Sequence, residues 1–553
     1  MLIFDDLFAQ LLEAIKINLP EVDNTDLVSD KSGHADYSFR TFRLSRLMKT
    51  SQEDLFSIIK EALKSVGFVS NVALSSGYVN ISILDSFFLE SVSKYLSERG
   101  QYPDTFQDPE RVLIEHTSTN PTGPIHIGRS RNSVIGDGIA RIFKRCGYRT
   151  TTQYYVNDSG KQVAALYKGF QMYHEKDDPT LGNLLDGYQK IYKTMTDREK
   201  EKELVEPEIK RYESGDAEIL QKIREYCSIV LQSIVESLQK IGIKIDDYVW
   251  ESSFLRGGEL DSVFESLSDK IEDDSGAKFV SMPDGYKIYL RRSNGTSLYF
   301  ARDIAYHLFK ALNADWIIDI LGEDHKDHAK NLSYVLKEFM GYTPRLDFVT
   351  YGFMSLEGSK FSTRMGNIVS LDEFVSRATE EGLKVVREKR PDLSESRLHE
   401  IAEAVAVSSI RFSIVKVNAS KQLDFRWKDA LSFEGDSAPY VMYAYARSRS
   451  ILSKIESVPA GDKSWIMNEW ERRLARTLFS YPYHLRDALD SLRPEIIANY
   501  CLELVKSFND FYSQCPVIGS GEETEKRVML VKNFSEILKD AGSLIGIKFL
   551  KEM

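Results

Sequence analysis

The stretch from Val112 to Val156 constrains the fold more than any other part of the chain. Val112-Leu113-Ile114-Glu115 is a short apolar run that reads as a strand buried on both faces. A Pro- and Gly-rich turn follows, and then Ile135, Ile139, Ile142 and Phe143 recur at helical spacing. Gly147 stops that helix, and Thr151 to Val156 returns to strand character. Strand, turn, helix, strand is the opening of a parallel α/β sheet, in which ligands gather at the carboxyl ends of strands. The turn Ser118-Thr119-Asn120-Pro121-Thr122-Gly123-Pro124-Ile125-His126-Ile127-Gly128 lies at such an end. A helix starting there offers free N–H groups and the positive end of its dipole to phosphates. His126 adds a donor on the first turn, and Gly128 leaves room for a flat base against the backbone. A lone His in this place is more often a cap or a core residue. No G-x-x-x-x-G-K-[ST] loop is present, and Gly136-Asp137-Gly138 falls inside the helix, so any nucleotide is held in another way.

The flanking sequence divides a chain of 553 residues into several domains. Phe4, Leu7, Phe8, Leu11, Leu12 and Ile15 mark an amphipathic first helix, and Tyr78 to Ile83 alternates as a strand does. Tyr102-Pro103-Asp104 breaks the pattern, so residues 1–105 read as a small α+β domain. Residues 106–394 form the α/β unit, with a charged helical insertion at about 160–250 and strand-like segments at Tyr286 to Arg291 and Trp316 to Leu321. From Glu395 the chain, residues 395–553, reads as helical to its end.

A net charge of −11 argues against indiscriminate nucleic-acid binding. It leaves room for local basic surfaces. Arg129, Arg131, Arg141, Lys144, Arg145 and Arg149 make one such cluster, which charge alone would place on a solvated helix face. The four cysteines are scattered without a CxxC pair, which fits a reducing, cytoplasmic compartment. The N-terminus lacks the basic start of a secretory leader. No apolar run approaches the ~20 residues of a membrane span.

The segment ending in Pro124-Ile125-His126-Ile127-Gly128 resembles the HIGH motif of class I aminoacyl-tRNA synthetases, with Arg129 in place of its second His. The preceding Asn-Pro-Thr-Gly-Pro resembles the arginyl-tRNA synthetase version, and the likeness runs on through Gly136-Asp137 and Tyr154 to Asp158 over essentially the whole chain. It implies a Rossmann-like parallel sheet as catalytic domain, a small α+β N-terminal domain and an all-helical anticodon-binding domain. It also implies ATP with magnesium as substrate, arginine and tRNA-Arg as partners, and a monomer without a tightly bound metal. Gly358 to Asn367 looks like the KMSKS loop: Lys360 and Ser362 match, while Thr363 stands where the second lysine would be and Arg364 follows. Lys360, His126, Arg129 and Arg364 are thereby the catalytic candidates.

By the same resemblance Pro121, Gly123, His126, Gly128, Asp324, His325, Lys360 and Ser362 face ATP. Ser118, Asn120, Glu251, Tyr299, Asp303 and Asp324 face arginine. The chemistry suits those acids, because carboxylates in the plane of a guanidinium meet its forked donors well. Tyr299 and Asp303 are four residues apart and share a face if helical. His325 and His328, three apart after an acidic pair, lack the partners of a zinc site. Tyr440, Tyr443 and Arg447 fall one turn apart in a helix opened by Pro439, and with Met553 they are implied to meet the anticodon. Tyr78 and Asn80 match a family segment that contacts tRNA. Two other readings stay open: another class I synthetase or related adenylate-forming transferase, and a non-catalytic tRNA-binding paralogue.

Overall fold

A computed structural model describes residues 3–29, 35–98, 109–360, 369–455 and 466–553. The expected linker Tyr102 to Asp104 lies outside them, as do Phe361 to Ile368 of the KMSKS-like segment, including Ser362 and Arg364.

The N-terminal unit is a four-stranded antiparallel sheet in the order Leu27–Ser29, Tyr37–Arg40, Tyr78–Ile83, Val69–Ser75. The opening helix, Ile3–Asn18, buries Leu7, Leu11, Leu12 and Ile15, as its spacing predicts. Val79, Ile81 and Ile83 alternate inward from the strand that starts at Tyr78.

The central sheet has five parallel strands. We number them β1 (Arg111–Glu115), β2 (Arg149–Val156), β3 (Asp247–Trp250), β4 (Trp316–Gly322) and β5 (Arg345–Tyr351). Their spatial order is β5-β4-β1-β2-β3, the doubly wound arrangement in which chain order reverses between β1 and β4. Helix α1 (Ile127–Arg145) links β1 to β2. Four helices, Lys161–His174, Leu181–Thr194, Arg198–Glu213 and Ala217–Lys240, fill the connection from β2 to β3. The strand Lys287–Arg291 joins a separate three-stranded antiparallel sheet off the main one. Helix α2 (Tyr299–Asn313) follows and leads into β4.

The C-terminal part packs helices including α3 (Glu395–Val415), α4 (Ala438–Ser453), Glu495–Gln514 and Thr524–Leu544. It is not helical throughout. Leu423–Phe425 is a strand that pairs in parallel with Met354–Leu356, which pairs in turn with Ser359–Lys360. Leu423 and Phe425 are buried, and Asp424 between them accepts hydrogen bonds from Gly358 N at 2.8 Å and Ser355 Oγ at 2.9 Å. Three residues are too few to show a period, so the pairing is set by tertiary contact.

The basic cluster is solvated only in part: Arg129, Lys144 and Arg149 are exposed, while Arg131, Arg141 and Arg145 are buried or half-buried. Arg131 is fully buried, donating to the carbonyls of Gly352 at 2.6 Å and Asn418 at 3.2 Å. Arg141 pairs with Asp137 at 2.6 Å, and Asp137 also holds the buried Arg411 of α3. Arg145 pairs with Asp540 at 2.9 Å and meets Tyr95 at 3.0 Å. These three arginines fasten the α/β unit to the domains on either side. Arg129, by contrast, stays exposed at the start of the helix.

Candidate active site

The loop after β1 is shaped by two consecutive non-glycine residues in the left-handed region, Thr117 (φ 75°) and Ser118 (φ 35°). Such strain persists only where the surroundings over-determine it. Here Asn132 of α1 accepts from Thr117 N at 2.7 Å and donates to the Ile320 carbonyl of β4 at 2.8 Å, bridging the point where chain order reverses. Ser118 Oγ donates to Glu115 at 2.7 Å and accepts from Tyr155 N at 3.1 Å. Tyr154 donates to the Thr119 carbonyl at 2.5 Å. Gly136 lets α1 lie against β1, because a Cβ there would stand 2.4 Å from that of His116.

His126 caps α1 in extended backbone conformation and is half-buried, with Nδ1 buried and unpartnered among the described residues. Burial, reinforced by the Arg129 charge, lowers its pKa to about 4. It is therefore a neutral imidazole near neutral pH, able to donate a hydrogen bond but carrying no charge. Pro121 is buried and Gly123 and Gly128 are half-buried in the same turn. Ile127 N donates to the Val369 carbonyl at 3.3 Å and Leu371 N to the Ile125 carbonyl at 2.9 Å. Chain emerging from the KMSKS-like segment is thus bonded to the HIGH-like segment, while its other end is anchored through Ser359–Lys360 on the short sheet. Asp324 and His325 sit exposed on the turn that follows β4.

A second half-site forms around the start of α2. Glu251 opens a short helix after β3 and is only 2% exposed. Its Oε1 lies 2.7 Å from Arg302 Nη1, and Arg302 also donates to Ser159 Oγ at 2.5 Å. Asn157, with its amide turned to suit its neighbours, donates to the other Glu251 oxygen at 2.7 Å. Burial raises the Glu251 pKa to about 7; Arg302 works against that rise and the nearby Asp303 charge adds to it. Asp303 accepts from His328 Nε2 at 2.7 Å, and the exposed Tyr299 ring lies 5.3 Å from the same imidazole. A buried acid held by Arg302 and a half-buried acid held by His328 thus stand at the start of α2, with the Tyr299 ring beside the same imidazole. Asn120, by contrast, bonds Gln162 at 2.8 Å on the first inserted helix. Arg302 and Asn157 carry no signal of their own in the sequence, though they adjoin Asp303 and Asp158, and His328 stands out there only beside His325, not as the partner of Asp303.

In the helical domain Tyr440, Tyr443, Arg447, Arg390 and Met553 line one cavity of about 480 Å³. Arg447 donates to Asn509 at 2.9 Å and spreads its guanidinium between the exposed rings of Tyr443 and Tyr512, 4.9 and 5.0 Å away. Arg390 donates to the Met553 carbonyl at 2.5 Å, fixing the chain end against this cavity. In the N-terminal unit Tyr78 meets Phe42 edge-on at 5.6 Å, both rings exposed, while Asn80 accepts from Ser38 at 2.8 Å.

Residues 91–427 match the family described as tRNA synthetases class I (R), catalytic domain, and residues 441–553 match the DALR anticodon binding domain. The chain belongs to the arginyl-tRNA synthetase family. It is 45% identical to the arginine–tRNA ligase of Thermoplasma acidophilum, with all of both chains covered. To that of Archaeoglobus fulgidus it is 34% identical, covering 99% of this chain and 100% of the relative. The Thermus thermophilus arginyl-tRNA synthetase structure superposes with a TM-score of 0.80 at 27% identity, over 99% of this chain and 100% of that one. The layout of the family, a class I catalytic domain followed by a helical DALR domain, is the architecture described above.

Proposed function

We propose that this member of the family charges tRNA-Arg with L-arginine, in two steps. It is an aminoacyl-tRNA ligase, and the reading of its amino-acid pocket rests on one observation above all. The buried carboxylate of Glu251 stands with Asp303 at the N-terminal end of α2, where it already carries a guanidinium, that of Arg302. Two acids brought close together suit the five forked donors of arginine, whereas an ammonium cannot use both in the same way.

In the first step an oxygen of the arginine carboxylate bonds to the α-phosphorus of ATP, and the bond to the bridging oxygen breaks to release pyrophosphate. Magnesium enters with ATP as part of the substrate. The carboxylate is ionised at neutral pH, so no general base is needed. Rate comes from placing the two substrates and from donors aimed at the phosphate oxygens. The N-terminus of α1 and the neutral His126 supply donors, and Arg129, Lys360 and Arg364 supply charge. In the second step the 2′-hydroxyl of the terminal tRNA ribose attacks the arginyl carbonyl and AMP leaves. Tyr440, Tyr443, Arg447 and Met553 form a stacking surface for anticodon bases, and Tyr78 with Asn80 touches the tRNA elsewhere. Among the described residues no helix is long and apolar enough to cross a membrane. All four cysteines are free, which supports a reducing cytoplasm as the setting. A monomer is the expected state.

Asp303→Ala tests the pocket. The variant should lose arginine use and keep its affinity for tRNA. Arginine kinetics unchanged from the parent would take Asp303 out of the site.

A further inference from the structure

Beneath the two half-sites lies a buried ionic cluster that the reaction itself does not use. Lys310, near the C-terminal end of α2, is wholly buried. Its Nζ donates to Glu115 Oε2 at 2.6 Å and to Asp319 Oδ1 at 2.7 Å, and lies 4.2 Å from the Tyr306 ring centre. Burial opposes the lysine charge, but Asp319 and Glu115 outweigh it and hold the pKa above the ordinary lysine value.

Followed outward, the cluster reaches both half-sites. On one side Glu115, the last residue of β1, accepts from Ser118 Oγ at 2.7 Å, inside the strained loop that leads to His126. On the other side Asp319 of β4 meets His307 Nε2 at 2.7 Å, and His307 Nδ1 meets the Asp303 carbonyl at 2.8 Å. Tyr306 donates to Gln153 of β2 at 2.7 Å, so α2 is tied to three adjacent strands. An apolar side chain would fill the place of Lys310 without the desolvation penalty of an ion group. The ions give what apolar packing does not, a directional link of fixed length between the arginine-reading end of α2 and the loop after β1.

We propose that Lys310 is a positioning residue for arginine activation, setting the two half-sites at the separation the reaction needs. The proposal rests on the reading of Glu251, Tyr299 and Asp303 as the arginine pocket. Each half-site keeps its own contacts when the link is cut, so binding of either substrate should change little while the chemical step suffers. A misplacement on the order of 1 Å between reacting groups can cost about 100-fold in rate.

The test is arginine-dependent ATP–pyrophosphate exchange with saturating tRNA. It compares Lys310→Met, the neutral triple variant Lys310→Met/Glu115→Gln/Asp319→Asn, and Asp303→Ala. Thermal unfolding is followed in parallel. Lys310→Met should lower kcat about 100-fold and leave the KM of arginine and of ATP within about threefold. The triple variant removes the unpaired buried acids, so it should regain thermal stability without regaining kcat, and it carries the test if the single variant does not fold. A kcat within about threefold of the parent in Lys310→Met overturns the proposal. So does a triple variant that recovers stability and kcat together, since the cluster would then be structural only. If Asp303→Ala leaves the KM of arginine unchanged, the pocket reading fails and takes the proposal with it. If Asp303→Ala raises that KM while Lys310→Met keeps its kcat, the pocket stands and the positioning role alone is lost.

Discussion

Replacing Glu251 by Gln isolates the charge on which arginine recognition depends. The side chain is 2% exposed and its volume is kept, so the pocket shape survives. What changes is the face offered to a guanidinium. A carboxylate accepts at both oxygens, whereas an amide sets an NH₂ against donors at one of them. Hydrogen bonds to charged groups contribute about 1.5–3 kcal/mol, which converts to roughly 10- to 150-fold in kcat/KM for arginine. A pH signature accompanies the loss. Burial raises the Glu251 pKa to about 7, with Arg302 opposing the rise, so the free enzyme holds this group increasingly neutral as pH falls through that value. Arginine kcat/KM in the parent should therefore decline below neutrality, approaching about tenfold per pH unit, and Glu251→Gln should lack that limb. The assay is ATP–pyrophosphate exchange at saturating ATP and tRNA with arginine varied, repeated across about pH 5.5 to 8.5. A variant within about twofold of the parent, or one that keeps the acid limb, refutes the assignment of Glu251 to the guanidinium.

Three further outcomes follow from the same geometry. Gly136→Ala places a Cβ 2.4 Å from that of His116 and should push α1 off β1, costing about 3 kcal/mol in urea unfolding; an unshifted midpoint contradicts the close approach. Tyr443→Ala removes an exposed ring beside Arg447 and should raise the KM for tRNA about 10-fold while arginine KM at saturating tRNA holds, and an unchanged tRNA KM moves the anticodon contact elsewhere. Lys360→Ala should slow activation about 100-fold with little change in arginine KM, and a loss below about threefold assigns the charge to Arg364 instead.

The sequence carried the parts of this protein that rest on local pattern. Val112 to Glu115, the helix begun at His126 and the strand ending at Val156 all follow from period and turn chemistry, and these place the loop at the switch point between β1 and β4. Tyr440, Tyr443 and Arg447 share a face for the same reason. What pattern cannot show is which distant group meets a charge. Arg131 and Arg145 read as solvated because the carbonyl of Gly352 and the carboxylate of Asp540 come from remote segments. Leu423 to Phe425 reads as part of the helical run from Glu395, because the partner strand that makes it extended lies far back in the chain. Arg302 sits beside Asp303 in sequence, yet its hold on Glu251 depends on a crossover that only the folded sheet supplies. Lys310 looks like any surface lysine in a helical segment until β1 and β4 bring Glu115 and Asp319 to it.

The central claim, that this chain joins arginine to tRNA, is met most directly by charging unfractionated tRNA with each amino acid in turn. Arginine alone should give an ATP-dependent, tRNA-linked product, and that product should be confined to tRNA-Arg. A charged product with lysine, glutamine or cysteine, or binding of tRNA-Arg with no charging at all, would contradict the account.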